Sequence, residues 1–183
     1  MAAPGSDAIA MQQIYIPRER MKALRGDPRL LKELCALCGC KAELDDECVT
    51  VEGDAVGEFT AKSVVYAYGR GFEMADALRL AREGNYFDSI DLEDALGSEK
   101  SISRIKARII GRKGKTKKYM EQVSGAKISV YGNTVSFIGT SEALQEARAA
   151  TEALIKGSMH KSAYARMEAL HRRNKEAAHD ASF

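Results

Sequence analysis

The sequence predicts an α+β fold made from two tandem copies of one unit. Sliding the chain by 86 positions brings Gly39 onto Gly125, Lys41 onto Lys127, Val49 onto Val135 and Gly53 onto Gly139. Ala61, Ala67 and Gly71 then meet Ala147, Ala153 and Gly157, and apolar positions correspond as well, Leu44 with Val130 and Val51 with Phe137. A fixed self-similarity of this kind marks a repeated unit. The second observation is that both copies run through the same order: helix, short glycine-containing loop, helix, two strands, helix.

In the first copy, Gln13–Ile16 reads as a short strand. A helix follows from Pro17 to about Leu24, with proline at a tolerated first-turn position, and a second helix covers Leu30–Cys38. Lys41–Leu44 and Cys48–Val51 form a hairpin, with Asp45, Asp46 and Glu47 as its turn. The helix Ala55–Tyr68 presents Val56, Phe59, Val64 and Ala67 as its core face. Residues 69–96 form a connector in which Met74–Arg82 is helical and Tyr86–Ile90 can pack on either copy. In the second copy, Ser103–Ile110 is helical, Gly111–Gly114 is the loop and Lys115–Val123 is a helix that Gly125 caps in the left-handed conformation. Ala126–Tyr131 alternates as a strand, with Ile128 and Val130 on one face. Gly132-Asn133 turns the chain into Thr134–Ile138. Thr140 or Ser141 caps a helix to about Lys156, with Leu144, Ala147, Thr151 and Leu154 facing a core, and Gly157 stops it. No counterpart of Gln13–Ile16 is visible in this copy. Tyr164, Met167 and Leu170 recur at helical spacing in the tail, whose last ten residues are expected to fray.

A hydrophobic content of 45% supports a real core. Net charge is only +2, but it is unevenly spread. Residues 1–95 hold 11 bases against 18 acids, net −7, and residues 96–183 hold 17 bases against 8 acids, net +9. Such a division implies an anion-binding half and an acidic half. No run reaches the ~18 apolar residues of a membrane span, and the N-terminus shows no secretory pattern. A soluble cytoplasmic protein with no membrane contact is expected.

Eight of the fifteen residues from Arg104 to Lys118 are basic and none is acidic. At their centre stands Gly111-Arg112-Lys113-Gly114. The two glycines permit a tight turn and close approach to a ligand. The loop amides, the start of the next helix and the cations can all meet phosphate oxygens. The candidate RNA-binding residues are Gly111, Arg112, Lys113, Gly114, Lys115, Lys117, Lys118, Ile110, Ile128, Arg108 and Arg104. Ile110 and Ile128 read equally well as apolar groove and as core, and Lys117 and Lys118 equally as RNA contacts and as a solvated helix face. Arg104, Lys106 and Arg108 point around a helix, so not all three can reach one strand.

The order of elements together with Ile109-Ile110-Gly111-Arg112-Lys113-Gly114-Lys115 and Gly125-Ala126-Lys127-Ile128 resembles a KH domain. That resemblance implies two tandem type I KH domains, each a three-stranded sheet packed with three helices, plus a helical connector and a C-terminal helix. The implied domains are 11–71, 72–97 (connector), 98–157 and 158–183 (basic C-terminal helix and tail). With Gly69-Arg70-Gly71-Phe72, Ala77-Leu78-Arg79-Leu80, Ile90-Asp91-Leu92 and Gly157-Ser158-Met159-His160, the chain resembles the archaeal branch of the partner-of-Nob family over roughly residues 12–173. Eukaryotic members are expected to carry an N-terminal extension. The family resemblance implies a role at the 3′ end of small-subunit rRNA, where precursor RNA is presented to a separate endonuclease. A KH unit holds about four single-stranded nucleotides with the GxxG loop on their backbone.

The first copy departs from this pattern. Its loop reads Gly26-Asp27-Pro28-Arg29, without the second glycine, and is one residue shorter. Asp27 puts an anion where phosphate would sit. This acidic half is expected to support the other copy or to dock a protein, such as a pre-rRNA endonuclease or another assembly factor, with Arg20, Lys22, Arg25 and Arg29 available for peripheral RNA contact.

Two further classes of function compete with this reading. Gly114-Lys115-Thr116 resembles the end of a P-loop, but the first glycine such a loop needs is replaced by Ile109 and a helix precedes it, so no ATPase or other enzyme is expected. A KH adaptor for another RNA would use the same loop, and a protein-interaction scaffold would use neither loop. Cys35, Cys38, Cys40 and Cys48 lack a second spaced pair for zinc. They are expected as buried free thiols, with no metal or cofactor, and a disulfide stays open for a hyperthermophile chain. His160, His171 and His179 are expected on the surface.

Overall fold

A computed structural model describes residues 12–180. It divides into two compact units, with the boundary between Gly69 and Arg70. In the first, β1 (Gln12–Tyr15) leads into α1 (Arg18–Gly26) and α2 (Pro28–Cys38), then β2 (Lys41–Leu44), β3 (Cys48–Glu52) and α3 (Ala55–Gly69). The strands form an antiparallel sheet in the order β1-β3-β2. Pro17 occupies the N-cap of α1. Asp27 caps α2 through its carboxylate, which accepts the Arg29 N–H at 3.1 Å, and Pro28 follows at the first helical position, where a missing N–H costs nothing. Gly39, at φ 65°, ends α2. Leu24, Leu34, Val49, Val51, Val64 and Val65 are fully buried.

The second unit opens with α4 (Met74–Ala77) and a 3₁₀ turn over Leu78–Ala81. It continues through β4 (Tyr86–Asp91), α5 (Leu92–Leu96), α6 (Glu99–Ile110), a 3₁₀ turn at Arg112–Gly114 and α7 (Lys115–Ser124). Then come β5 (Lys127–Tyr131), β6 (Thr134–Gly139), α8 (Ser141–Ile155) and α9 (His160–Asp180). Its sheet has the order β4-β6-β5, again antiparallel. The two hairpins share one register: Lys41 faces Glu52 and Lys127 faces Ile138, both partners displaced by the same 86 positions. Val135, Phe137 and Ile128 face a helical core with Ile105, Ile109, Met120, Leu154 and Met167. Ser136 and Ile138 lie on the opposite face of β6 and are buried too, with the Leu78–Ala81 turn packed against that strand.

Three expectations are corrected here. The stretch expected as a helical connector contains β4, the missing edge strand of the second sheet. Its Tyr86-Phe87-Asp88-Ser89 start hides strand alternation, and only Ile90 is buried. Val56 and Phe59 are 76% and 71% exposed, because α3 turns Gly57, Ala61, Val64, Val65 and Tyr68 inward instead. The tail does not fray at once: α9 runs to Asp180, held by buried Ala163 and Met167, and the remaining three residues of the expected frayed end lie outside the described residues.

Two of the histidines are also not mere surface groups. His171 Nδ1 lies 2.9 Å from Glu146 Oε2, and Asn174 donates to Glu146 Oε1 at 2.8 Å. The Glu146 side chain is only 3% exposed, so these contacts satisfy a buried carboxylate and fasten α9 to α8. All four cysteines are free thiols, three of them buried. Burial first, and the neighbouring thiols second, push Cys38 and Cys40 up to about 11.

Candidate nucleic-acid interface

The loop between α6 and α7 is built almost wholly from left-handed backbone. Gly111 has φ 72°, Lys113 φ 55° and Gly114 φ 75°, and Lys113 is the only non-glycine among the described residues with positive φ. The Gly111 N–H donates to Ala107 O at 2.9 Å and closes α6, and the Gly114 N–H donates to Gly111 O at 3.1 Å and closes the turn. A Cβ on Gly111 would lie 2.2 Å from Thr116 Oγ1 and 2.8 Å from the Thr116 nitrogen, so this glycine is required by packing as well as by conformation. At Gly114 a Cβ would meet open space, and only the backbone conformation asks for glycine. Holding Lys113 in the left-handed region costs about 1–2 kcal/mol, a strain of the kind found at ligand-clamping segments.

Arg112, Lys113, Lys115 and Lys118 are exposed along this loop and the first turn of α7. The first turn has no side-chain cap, and the Lys115 N–H donates to Arg112 O. Lys117 is half-buried and pairs with Glu121 at 3.4 Å. Glu121 also accepts the Ile128 N–H at 2.9 Å, tying the start of β5 to α7.

Beside the loop lies a groove of about 320 Å³ lined by Ile110, Lys117, Ile128, Ser129 and Val130, with Gly71, Phe72, Glu73 and Asp76 as the other wall. The two isoleucines separate here. Ile110 is 37% exposed and forms an apolar wall, whereas Ile128 is 2% exposed and belongs to the core, reaching the groove as its floor. The wall formed by residues 71–76 is held by side chains of β5: Ser129 Oγ donates to Arg70 O at 2.9 Å, and Lys127 pairs with Asp76 at 3.0 Å. Sequence reasoning missed Phe72, Glu73, Val130 and Thr116. Only Val130 carried a signal, as the strand neighbour of Ile128 on the same face.

Arg108 has a different task from its neighbours. Its guanidinium donates to Leu154 O at 3.0 Å, which also accepts the Gly157 N–H, and to Ser158 O in the turn that follows α8. His160 Nε2 lies 3.0 Å from Arg108 O and, since a carbonyl only accepts, must donate. Arg108 therefore locks α6 to the turn between α8 and α9 rather than extending toward a ligand. Arg104 is exposed on the same helix, on the side away from the Ile110 groove.

The first unit has no equivalent loop. The Asp27 carboxylate already takes the Arg29 N–H, and Pro28 has none to offer. Arg25, at the position of Ile110, donates across to Asp45 O in the hairpin turn and contacts Asp46 at 3.4 Å. Among the described residues no helix is long and apolar enough to cross a membrane, and no group of three or more His, Cys, Asp or Glu side chains is arranged to hold a metal ion.

Comparison with known proteins agrees with this geometry. The family model for the second KH domain of PNO1, described as a eukaryotic-type KH domain (type I), matches residues 86–172. A KH domain-containing protein of Methanocaldococcus jannaschii is 37% identical over 87% of this chain and 73% of its own length. The pre-rRNA-processing protein PNO1 of Chaetomium thermophilum is 29% identical over 95% of this chain and 73% of its own. A chain of the a/eIF2alpha–aDim2p–rRNA complex from Pyrococcus horikoshii OT3 superposes with a TM-score of 0.82 at 34% identity, covering 90% of this chain and 95% of that one. With the GxxG loop, the hairpin register and the flanking groove, these likenesses mean that the chain belongs to the archaeal branch of the PNO1-like family of KH proteins.

Proposed function

We propose that this protein is a non-catalytic RNA-binding adaptor in ribosome biogenesis, and that its second unit grips single-stranded small-subunit rRNA near its 3′ end. The observation that carries this reading is the loop: three left-handed residues in four, exposed cations in the turn and just after it, and a groove opening beside it with Ile110, Ile128 and Val130 in its lining. The loop glycines let phosphates approach the backbone, Arg112, Lys113, Lys115 and Lys118 supply charge, and Ile110, Ile128 and Val130 receive bases. Lys117 sits at the groove edge, where its partner Glu121 restrains it. Relatives named for pre-rRNA processing and a structural relative in a complex with rRNA support the choice of RNA.

The first unit is read as a second KH domain that has lost its clamp. It docks protein through its surface acids, in a unit with 11 acids against 8 bases over residues 1–69, a pre-rRNA endonuclease or another assembly factor being the fitting partner. A cytoplasmic location follows from that role. The test is competition: an RNA matching the small-subunit rRNA 3′ region should displace a labelled copy of itself far better than an unrelated single strand of equal length and charge. Equal displacement would favour a KH adaptor for other RNAs, and no binding of either would favour a protein scaffold.

A further inference from the structure

The loop has a second groove on its other flank. It is about 470 Å³ and is lined by Arg104, Ala107, Arg108, Gly111, Arg112, Thr116, His160 and Tyr164. It contains three arginines and a histidine and no acid. Arg112, the first loop cation, lines this groove and not the one beside Ile110, whereas Lys117 lines only the latter. The loop is thus a ridge between a groove of mixed lining, which holds the acids Glu73 and Asp76, and a basic groove without acids.

The basic groove is a product of α9. Arg108 fastens the α8–α9 turn to α6, and His160 bonds back to the Arg108 carbonyl. The Tyr164 ring packs, tilted by 52°, at 4.5 Å from that of Tyr119 of α7, whose hydroxyl bonds Glu168 further along α9. These contacts hold His160 and Tyr164 opposite Arg104 and Arg112 as a fixed wall. Since Arg108 is committed to carbonyls, the cations free to meet a ligand on the described surface of this groove are Arg104 and Arg112, both exposed.

We infer that this groove binds the sugar-phosphate backbone of the nucleotides that continue beyond the clamped ones, making the bound RNA longer than the GxxG loop alone would hold. This rests on the proposed RNA clamp. Two observations favour RNA backbone as the occupant. The groove is basic without any acid among its lining residues, and it is continuous with the loop through Gly111 and Arg112, so a strand crossing the ridge enters it. Arg104 is then the residue that contacts RNA in the second groove and nowhere else.

The experiment uses the full chain and three RNAs: a core of about four nucleotides, the same core with roughly four more at its 5′ end, and the core extended equally at its 3′ end. Affinity is measured across a salt series for the native chain, Arg104→Glu and Arg104→Lys. One of the two extensions should tighten native binding at least about tenfold, the scale of one charge-assisted contact, and should steepen the salt slope by about 0.7 for each phosphate gained. Arg104→Glu should abolish both gains while lowering affinity for the core RNA far less than for the extended one, through the general change of charge near the clamp, and Arg104→Lys should retain the steeper slope. If the core binds but neither extension adds affinity, or if Arg104→Glu leaves the gain intact, the inference is overturned while the clamp stands. If a polyglutamate peptide matches the extension in cancelling that gain, the groove is an unselective anion site and the inference is again overturned. Failure of every RNA to bind overturns the clamp and this inference with it.

Discussion

Replacing Gly111 by alanine should damage the second unit far more than the same change at Gly114, although both glycines belong to one motif. At Gly111 two costs combine. Its φ of 72° with ψ of 173° is a region essentially closed to side chains, which costs about 1–3 kcal/mol. The added Cβ would also stand 2.2 Å from Thr116 Oγ1 and 2.7 Å from Thr116 Cβ, with the Thr116 nitrogen at 2.8 Å. Thr116 is buried and cannot swing aside freely, so overpacking adds about 1–3 kcal/mol. A loss of about 3 kcal/mol corresponds to a fall of roughly 10 °C in Tm for a unit of this size. At Gly114 the space is open and only the left-handed penalty of about 1–2 kcal/mol remains. Calorimetry of the two variants provides the comparison. A double-mutant cycle with Thr116→Ala isolates the steric part, since removing Oγ1 should return about 1 kcal/mol to Gly111→Ala and nothing to Gly114→Ala. Equal melting of the two glycine variants, or no coupling to Thr116, would refute the argument that Thr116 packs the loop from beneath.

Two other outcomes follow from buried groups. Cys38 and Cys40, raised to about 11 from an ordinary value of 9.0, should be only about 1% thiolate at pH 9, and alkylation there should be far slower in the folded chain than in denaturant. Because the folded state holds these protons more tightly than the unfolded chain does, their stabilising contribution is complete below pH 9 and is lost as pH rises from about 9 to 11. Denaturant midpoints measured over that window should fall, and should fall less in a Cys38→Ala variant. His171→Ala leaves the buried Glu146 with Asn174 as its remaining described partner. It should cost about 1 kcal/mol, at the low end for such a bond because His171 is itself half-exposed. Hydrogen exchange should quicken in α9 before it quickens in β6.

The parts of the fold legible in the sequence were those where local chemistry and tertiary structure agree. The hairpins share the 86-residue offset strand for strand, and the glycine caps at 39 and 125 sit where the helices stop. The edge strand was hidden by a break in that offset. Ile14 pairs with Val49 and Ile90 with Val135, so the first strands are displaced by 76 positions while their partners are displaced by 86. Nine of the ten extra residues fall between β4 and Gly111, where α5 is inserted, and the tenth falls between the loop glycine and the cap glycine. The outward turn of Val56 and Phe59 was hidden because α3 is apolar on more than one side, and spacing alone does not choose between the sides.

The site divides in the same way. Two glycines around two cations mark the loop in the sequence, but the left-handed backbone of Lys113 and the burial of Thr116 under Gly111 depend on how α6 and α7 meet. Arg108 looked like one more cation in a basic run, and only the return of the chain through the α8–α9 turn brings carbonyls to it. At the first unit's loop Asp27 stands out in the sequence as an anion, and in the structure its carboxylate caps α2.

The central claim is that the Gly111–Gly114 loop holds RNA by its backbone. The most direct measurement is the affinity of the native chain and of the Arg112→Asp, Lys113→Asp double variant for a single-stranded RNA from the small-subunit rRNA 3′ region, over a salt series. The two exposed cations lie away from the core, so the variant should keep its fold by circular dichroism. The account predicts that it loses binding by two orders of magnitude or so, each lost charge-assisted contact counting about tenfold or more. Any residual binding should show a salt slope shallower by about 1.4, the share of two phosphates on a single strand. An unchanged affinity and slope in a folded variant would contradict it.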